Sequence, residues 1–138
     1  MDFIIENIGW VLIVLTILIF TLYKWISKDS TALTAHYEVE KRIDFLNKNK
    51  HELIIEALKQ SKFKNIHFDE TNSTYYAKTK VSFWSWSELI EVKTTHKENG
   101  TVINFLSICF LFTQIISWGK NRRNAEKFFK ELDRLLQN

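Results

Sequence analysis

The sequence predicts an α+β protein, with an N-terminal transmembrane helix followed by a small antiparallel sheet of four to five strands packed against two helices. Three observations lead there. Residues 8–23, IGWVLIVLTILIFTLY, carry no charge. Short runs of period two, rich in aromatic and β-branched residues, recur between residues 66 and 108. The C-terminal stretch places its apolar residues on one helical face and its charges on the other.

The 138 residues, 46% hydrophobic and 25% charged, have room for one domain of ordinary size and one appendage. The division that follows is residues 1–27 as a single transmembrane anchor, 28–36 as a tether and 37–138 as an α+β cytoplasmic domain. Extending past Lys24 to Trp25 and Ile26, about nineteen residues rising ~1.5 Å each reach roughly 28 Å, close to the thickness of a bilayer core. The segment is apolar all the way round and has no water-facing side. Ile8, Leu15 and Phe20 would face lipid, while Trp10, Tyr23 and Trp25 suit its two interfaces.

No basic residue precedes the apolar run, and the run is long for a signal peptide, so it reads as retained. Asp2 and Glu6 lie before it and Lys24 and Lys28 after it. Positive flanks stay inside, which predicts a single-pass cell-membrane protein with its N-terminus outside and its domain in the cytoplasm. The single cysteine, Cys109, fits a reducing compartment.

Beyond the tether, His36 to Ile43 alternates Tyr37, Val39, Lys41 and Ile43, as a strand with one apolar face would, although a helix start is also compatible. Asn49 and Glu52 then have the spacing of a capping box, and Leu53, Ile54, Ala57 and Leu58 form a helical stripe ending near Ser61. Strands follow at 66–68, 74–83, 89–95 and 101–108, separated by DETN, WSWSE and KENG. Asn99-Gly100 tolerates the positive φ of a type I′ turn and predicts a hairpin.

Residues 101–118, TVINFLSICFLFTQIISW, are uncharged and long enough to raise a second span. That span would carry Lys120, Arg122, Arg123, Lys127 and Lys130 outward, against the charge rule, and would bury Asn104 and Gln114 in lipid. A strand through Ile108, followed by an apolar connection, avoids both costs. In the last helix Ser117 can cap and Gly119 can make a tight start, and Ala125, Phe128, Phe129, Leu132, Leu135 and Leu136 share one face. Three glycines, no proline and no repeat argue against a long linker or a solenoid.

Glu91, then Ser107 within Leu106-Ser-Ile-Cys-Phe110, then Gly119 and Asn121 within Ser117-Trp-Gly-Lys-Asn121, follow one another in a recurring order. In this the region from about residue 47 to 136 resembles the uncharacterised domain-of-unknown-function family fourteen-ninety-nine, whose members carry a polar Arg-Ser-x-Ser-Arg run and an Asp-x-Gly-x-Asn lead into a final helix. Leu106 and Phe110 stand where that family has arginines. The resemblance implies a fold and carries no activity.

No pattern for chemistry emerges. His36, His51, His67 and His96 lack metal-site spacing, and Gly9, Gly100 and Gly119 are too scattered for a phosphate loop. Cys109 lies between Ile108 and Phe110, surroundings that raise a thiol's pKa. Glu88 and Glu91 are three apart on a strand and point to opposite faces. Catalytic, metal and cofactor-binding residues are therefore none, and no cofactor is expected.

The net charge of +3 and pI of 8.9 come largely from KQSKFK and KNRRNAEK. Base-stacking proteins interleave aromatics with a basic groove, but these two clusters could equally face anionic lipid headgroups, and nucleic acid is not the expected partner. The candidate interaction residues are Phe110, Leu111, Phe112, Ile115 and Trp118 with Lys120, Arg122 and Arg123, together with Trp84 and Trp86, which share a face in FWSWS. The stretch from Cys109 to Ile116, followed by Trp118, is either a strand extension buried under the last helix or an exposed apolar lip that touches the bilayer or a partner protein. The expected function is that of a membrane-anchored accessory protein whose domain binds another membrane protein or membrane lipid. The alternative is lipid or small-molecule binding in a cavity between sheet and helices.

Overall fold

The computed structural model describes residues 8–27, 35–45, 49–80, 87–98, 100–109 and 119–137. The elements in chain order are α1 (Ile8–Ser27), β1 (His36–Ile43), α2 (Lys50–Gln60), β2 (Lys64–Asp69), β3 (Thr74–Lys78), β4 (Glu88–Lys97), β5 (Gly100–Cys109) and α3 (Lys120–Gln137). The five strands form one antiparallel sheet in the order β1-β5-β4-β3-β2. The α+β class, the upper strand count and the two domain helices agree with the sequence reading. With α1 the described helices number three.

The membrane reading is corrected. Among the described residues no helix is long and apolar enough to cross a membrane. The single-pass anchor, the cell-membrane location and the outside-to-cytoplasm orientation built on it are withdrawn. Along α1 the apolar residues from Ile8 to Leu22, and Trp25 beyond them, lie largely exposed; Trp10 and Trp25 are 70% and 79% exposed.

Local chemistry accounts for the element ends. Asn49 accepts a long 3.4 Å bond from the Glu52 amide at the start of α2. At its end Lys62 takes φ 64°, and the Phe63 amide reaches back to the Leu58 carbonyl, a left-handed helix stop. The expected β4–β5 hairpin is present, closed by the pair Lys97–Gly100. Gly100, at φ 120°, thus opens β5 instead of lying inside the turn; Asn99 is outside the described residues. The strand expected over 74–83 ends at Lys78, and residues 81–86 are outside the described set. The alternation in β1 resolves to a strand, with Tyr37, Val39, Lys41 and Ile43 turned toward the helices.

One face of the sheet and the two helices enclose the core. Phe105 of β5 stacks on Phe128 of α3 at 5.2 Å, and Phe63, Leu58, Ile90, Val92 and Leu132 close around them. Burial of each such side chain contributes about 1.5–3 kcal/mol. Lys41 of β1 reaches Asp133 of α3 at 2.7 Å and lies 5.4 Å over the Phe129 ring, fastening the edge strand to the last helix.

Candidate functional site

Among the described residues, five of the nine buried polar side chains, Ser87, Glu88, Ser107, Asn121 and Asn124, converge at one end of the sheet. There β1 begins, β5 ends, β4 begins, β3 ends and α3 starts, so residues distant in sequence meet through strand order alone. His36 pairs with Ile108, Leu89 with Ile108 and Glu88 with Cys109.

Two linked clusters occupy this end. In the first, Glu88 is fully buried and its carboxylate lies 2.9 Å from Lys120 Nζ, which comes from the first turn of α3. The Thr79 hydroxyl donates to the same carboxylate oxygen. The Glu88 amide donates to the Thr79 hydroxyl at 2.9 Å, and Ser87 Oγ donates to the Thr79 carbonyl at 2.9 Å. Burial of a charge requires such partners, since desolvation of an unpaired carboxylate costs several kcal/mol.

In the second, the buried Ser107 hydroxyl donates to Asn121 Oδ1 at 2.9 Å and accepts from Asn124 Nδ2 at 3.1 Å. Asn121 Nδ2 donates to the Ala35 carbonyl at 2.8 Å and lies 3.8 Å from Cys109 Sγ. The Cys109 amide donates to that same carbonyl at 2.9 Å. Gly119, at φ 69°, supplies the left-handed step that brings α3 into this contact, and its carbonyl accepts from the Arg123 amide.

Chemically the arrangement favours holding over reacting. Burial pushes the Cys109 thiol up, with the negative charge of Glu88 adding to the effect against the Asn121 contact and Lys120. Among the described residues no group of three or more His, Cys, Asp or Glu side chains could hold a metal ion. The network ties Thr79 after β3, the start of β4, the end of β5 and the start of α3 to Ala35 ahead of β1 in one corner.

Of the candidate interaction residues, Lys120 is tied to Glu88, Arg122 lies 3.4 Å from Glu126 of its own helix, and Arg123 is exposed. Phe110, Leu111, Phe112, Ile115 and Trp118, with Trp84 and Trp86, lie outside the described residues. Glu88 and Glu91 do point to opposite faces, Glu88 inward and Glu91 outward. Ser107 and Asn121, two of the residues behind the family resemblance, are brought together, whereas Glu91 is on the other side of the sheet. The Glu88–Lys120 pair and the part played by Asn124 had no local signal beyond a polar residue inside an apolar period.

No family model matches the chain. No curated protein matches it. Among solved structures it is similar to a protein of unknown function, SA2116 from Staphylococcus aureus, at 16% identity over 75% of this chain and 97% of that one, with a TM-score of 0.25.

Proposed function

We propose that this chain is an accessory binding protein in which the five-stranded domain is a rigid scaffold and α1 is the contact element for an apolar surface of a protein partner. The observation that carries this reading is the exposure of α1 on all sides. Ile8, Val11, Leu12, Ile13, Leu15 and Ile19 are each at least half exposed, although such a surface is stable in water only when something covers it.

The polar groups of α1 support the same reading. The Thr16 hydroxyl donates to the Leu12 carbonyl at 2.7 Å, and the Thr21 hydroxyl donates to the carbonyls of Ile17 and Leu18. The hydroxyls of Thr16 and Thr21 are thus satisfied within the helix itself. Opposite-facing side chains such as Ile13 and Leu15 give it no preferred dry stripe, so the partner should wrap it or add several apolar elements around it.

The test is a photo-crosslinking residue at Leu15, with Lys130 on α3 as the control position, in the full-length protein made in its native cells. Adducts to one defined protein from Leu15 and not from Lys130, lost when Ile13 and Ile19 are replaced by glutamate, support the reading. Adducts to lipid alone, or equal yields from both positions, overturn it. The cavity alternative gains no observation. Aromatic side chains pack the space between sheet and helices, and a groove of about 580 Å³ is lined by Glu52, Leu53 and Glu56 of α2 with Leu135 of α3.

A further inference from the structure

The two basic clusters of the sequence, KQSKFK and KNRRNAEK, meet in the fold. Burial, and next the charge of Lys62 at the left-handed stop of α2, hold the Lys127 ammonium of α3 below its ordinary range, with Glu131 opposing them. Two like charges from distant parts of the chain are thus neighbours. Glu131 is itself engaged by Arg134 at 2.9 Å, and Arg134 is also held by the Gln60 side chain of α2.

Along α3 the cations fall in line. Arg123, Lys127, Lys130 and Arg134 are spaced i, i+4, i+7 and i+11, which keeps them within about 60° of arc over roughly 16 Å of helix. These four and Lys62 are exposed. Among the described residues Lys62, Arg123, Lys127 and Lys130 enter no ion pair. Glu126 and Asp133 lie on the other flank of α3, toward β1, where they face Arg122 and Lys41.

We propose that this shoulder, formed by Lys62 and the cationic line of α3, is a contact surface for the phosphate backbone of a nucleic-acid duplex. One strand of a duplex carries a phosphate every ~3.4 Å of axis, so roughly 16 Å presents about five, as many as the cations in line and Lys62 together. The arc holds no apolar or aromatic residue, which a protein interface would need at its centre and a base-stacking site would need among its cations. Contact with phosphates requires neither, and it carries no sequence preference. The outermost line of α3 runs between Lys130 and Glu126, so a flat anionic lipid surface resting there meets both signs. A narrow strand on the α2 side meets the cations, the nearby Glu131 being already held by Arg134.

The contact does not involve α1, and it leaves the crosslinking test above intact, since the adducts read there are to protein. The full-length chain in a mild nonionic detergent that covers α1 is titrated onto a fluorescent 20-base-pair DNA duplex, and anisotropy is followed from ~50 to ~200 mM salt. With about four phosphates neutralised, the logarithm of the affinity should fall against that of the salt concentration with a slope of about −3.6, a loss of about 150-fold over this range. Lys127→Gln with Lys130→Gln should halve the slope and weaken binding at the lowest salt at least about tenfold. Lys93→Gln with Lys97→Gln removes the same net charge from β4 and should change neither, and a duplex of unrelated sequence should bind within about twofold. All four substitutions are of exposed residues, and thermal melts verify the folds. Absence of binding at the lowest salt, equal losses from the two variant pairs, or displacement of the duplex by micelles carrying phosphatidylserine at equal phosphate concentration overturns the proposal.

Discussion

Lys120 Nζ lies 2.9 Å from Glu88 Oε2, joining the first turn of α3 to the first residue of β4 across 31 intervening positions of sequence. The carboxylate is fully buried and the ammonium is about one quarter exposed. Replacing Lys120 by methionine strands a buried charge and should cost about 2–3 kcal/mol, somewhat below the range for a pair closed to solvent on both sides. The double variant Lys120→Met with Glu88→Gln should recover at least half of that. Urea unfolding of the four proteins of this cycle measures both quantities, and a loss in the double variant equal to the sum of the two single losses would mean that the pair is not coupled.

Ser107→Ala removes a hydroxyl that both donates to Asn121 and accepts from Asn124, leaving two buried amides short of a partner. A loss of about 2 kcal/mol is expected by chemical denaturation. Asn121→Ala should cost at least as much, because it also frees the Ala35 carbonyl from one of its two donors.

The Cys109 thiol, 6% exposed and held protonated by burial, should react with maleimide at pH 8 at least about tenfold more slowly in the folded protein than in urea. Equal rates would place the thiol in solvent and dismantle the corner described above.

Tyr75 is buried in β3, and burial pushes its phenol up to about 12. The neutral form is the one the fold keeps, so this contribution to stability is complete below pH 10, the ordinary phenol range, and is lost as pH rises from 10 through 12. One tyrosine should therefore resist ionisation in an absorbance titration until the fold loosens. Tyr75→Phe should shift the alkaline unfolding midpoint upward, as His51 Nδ1, 3.1 Å from the hydroxyl, is reached from an exposed helix face and can turn to water.

Much of the domain was legible because its signals are local. The period-two runs gave β4 and β5 to within two residues, the Asn49 and Glu52 spacing gave the start of α2, and the apolar face from Ala125 to Leu136 gave α3. Strand order was not legible. That β1 lies beside β5 is a pairing between residues 72 apart at His36 and Ile108, and no window of sequence holds both partners. The polar corner was hidden for the same reason, since Ser107, Asn121 and Ala35 are individually ordinary and acquire meaning only when β1, β5 and α3 meet. The membrane span was inferred from the length, flanking residues and apolarity of residues 8–26, and the apolarity is a property that an exposed protein-contact helix shares.

The most direct measurement is co-purification from native cells of the wild-type chain beside Leu15→Glu with Ile19→Glu, after brief crosslinking and with equal amounts of folded domain verified by the core's urea transition. If α1 engages a protein partner, one stoichiometric protein should accompany the wild type and fall at least about tenfold in the variant, while Leu89→Glu on the sheet face leaves it unchanged. The same protein recovered equally with both chains, or recovered only through the sheet face, would contradict a binding role for α1.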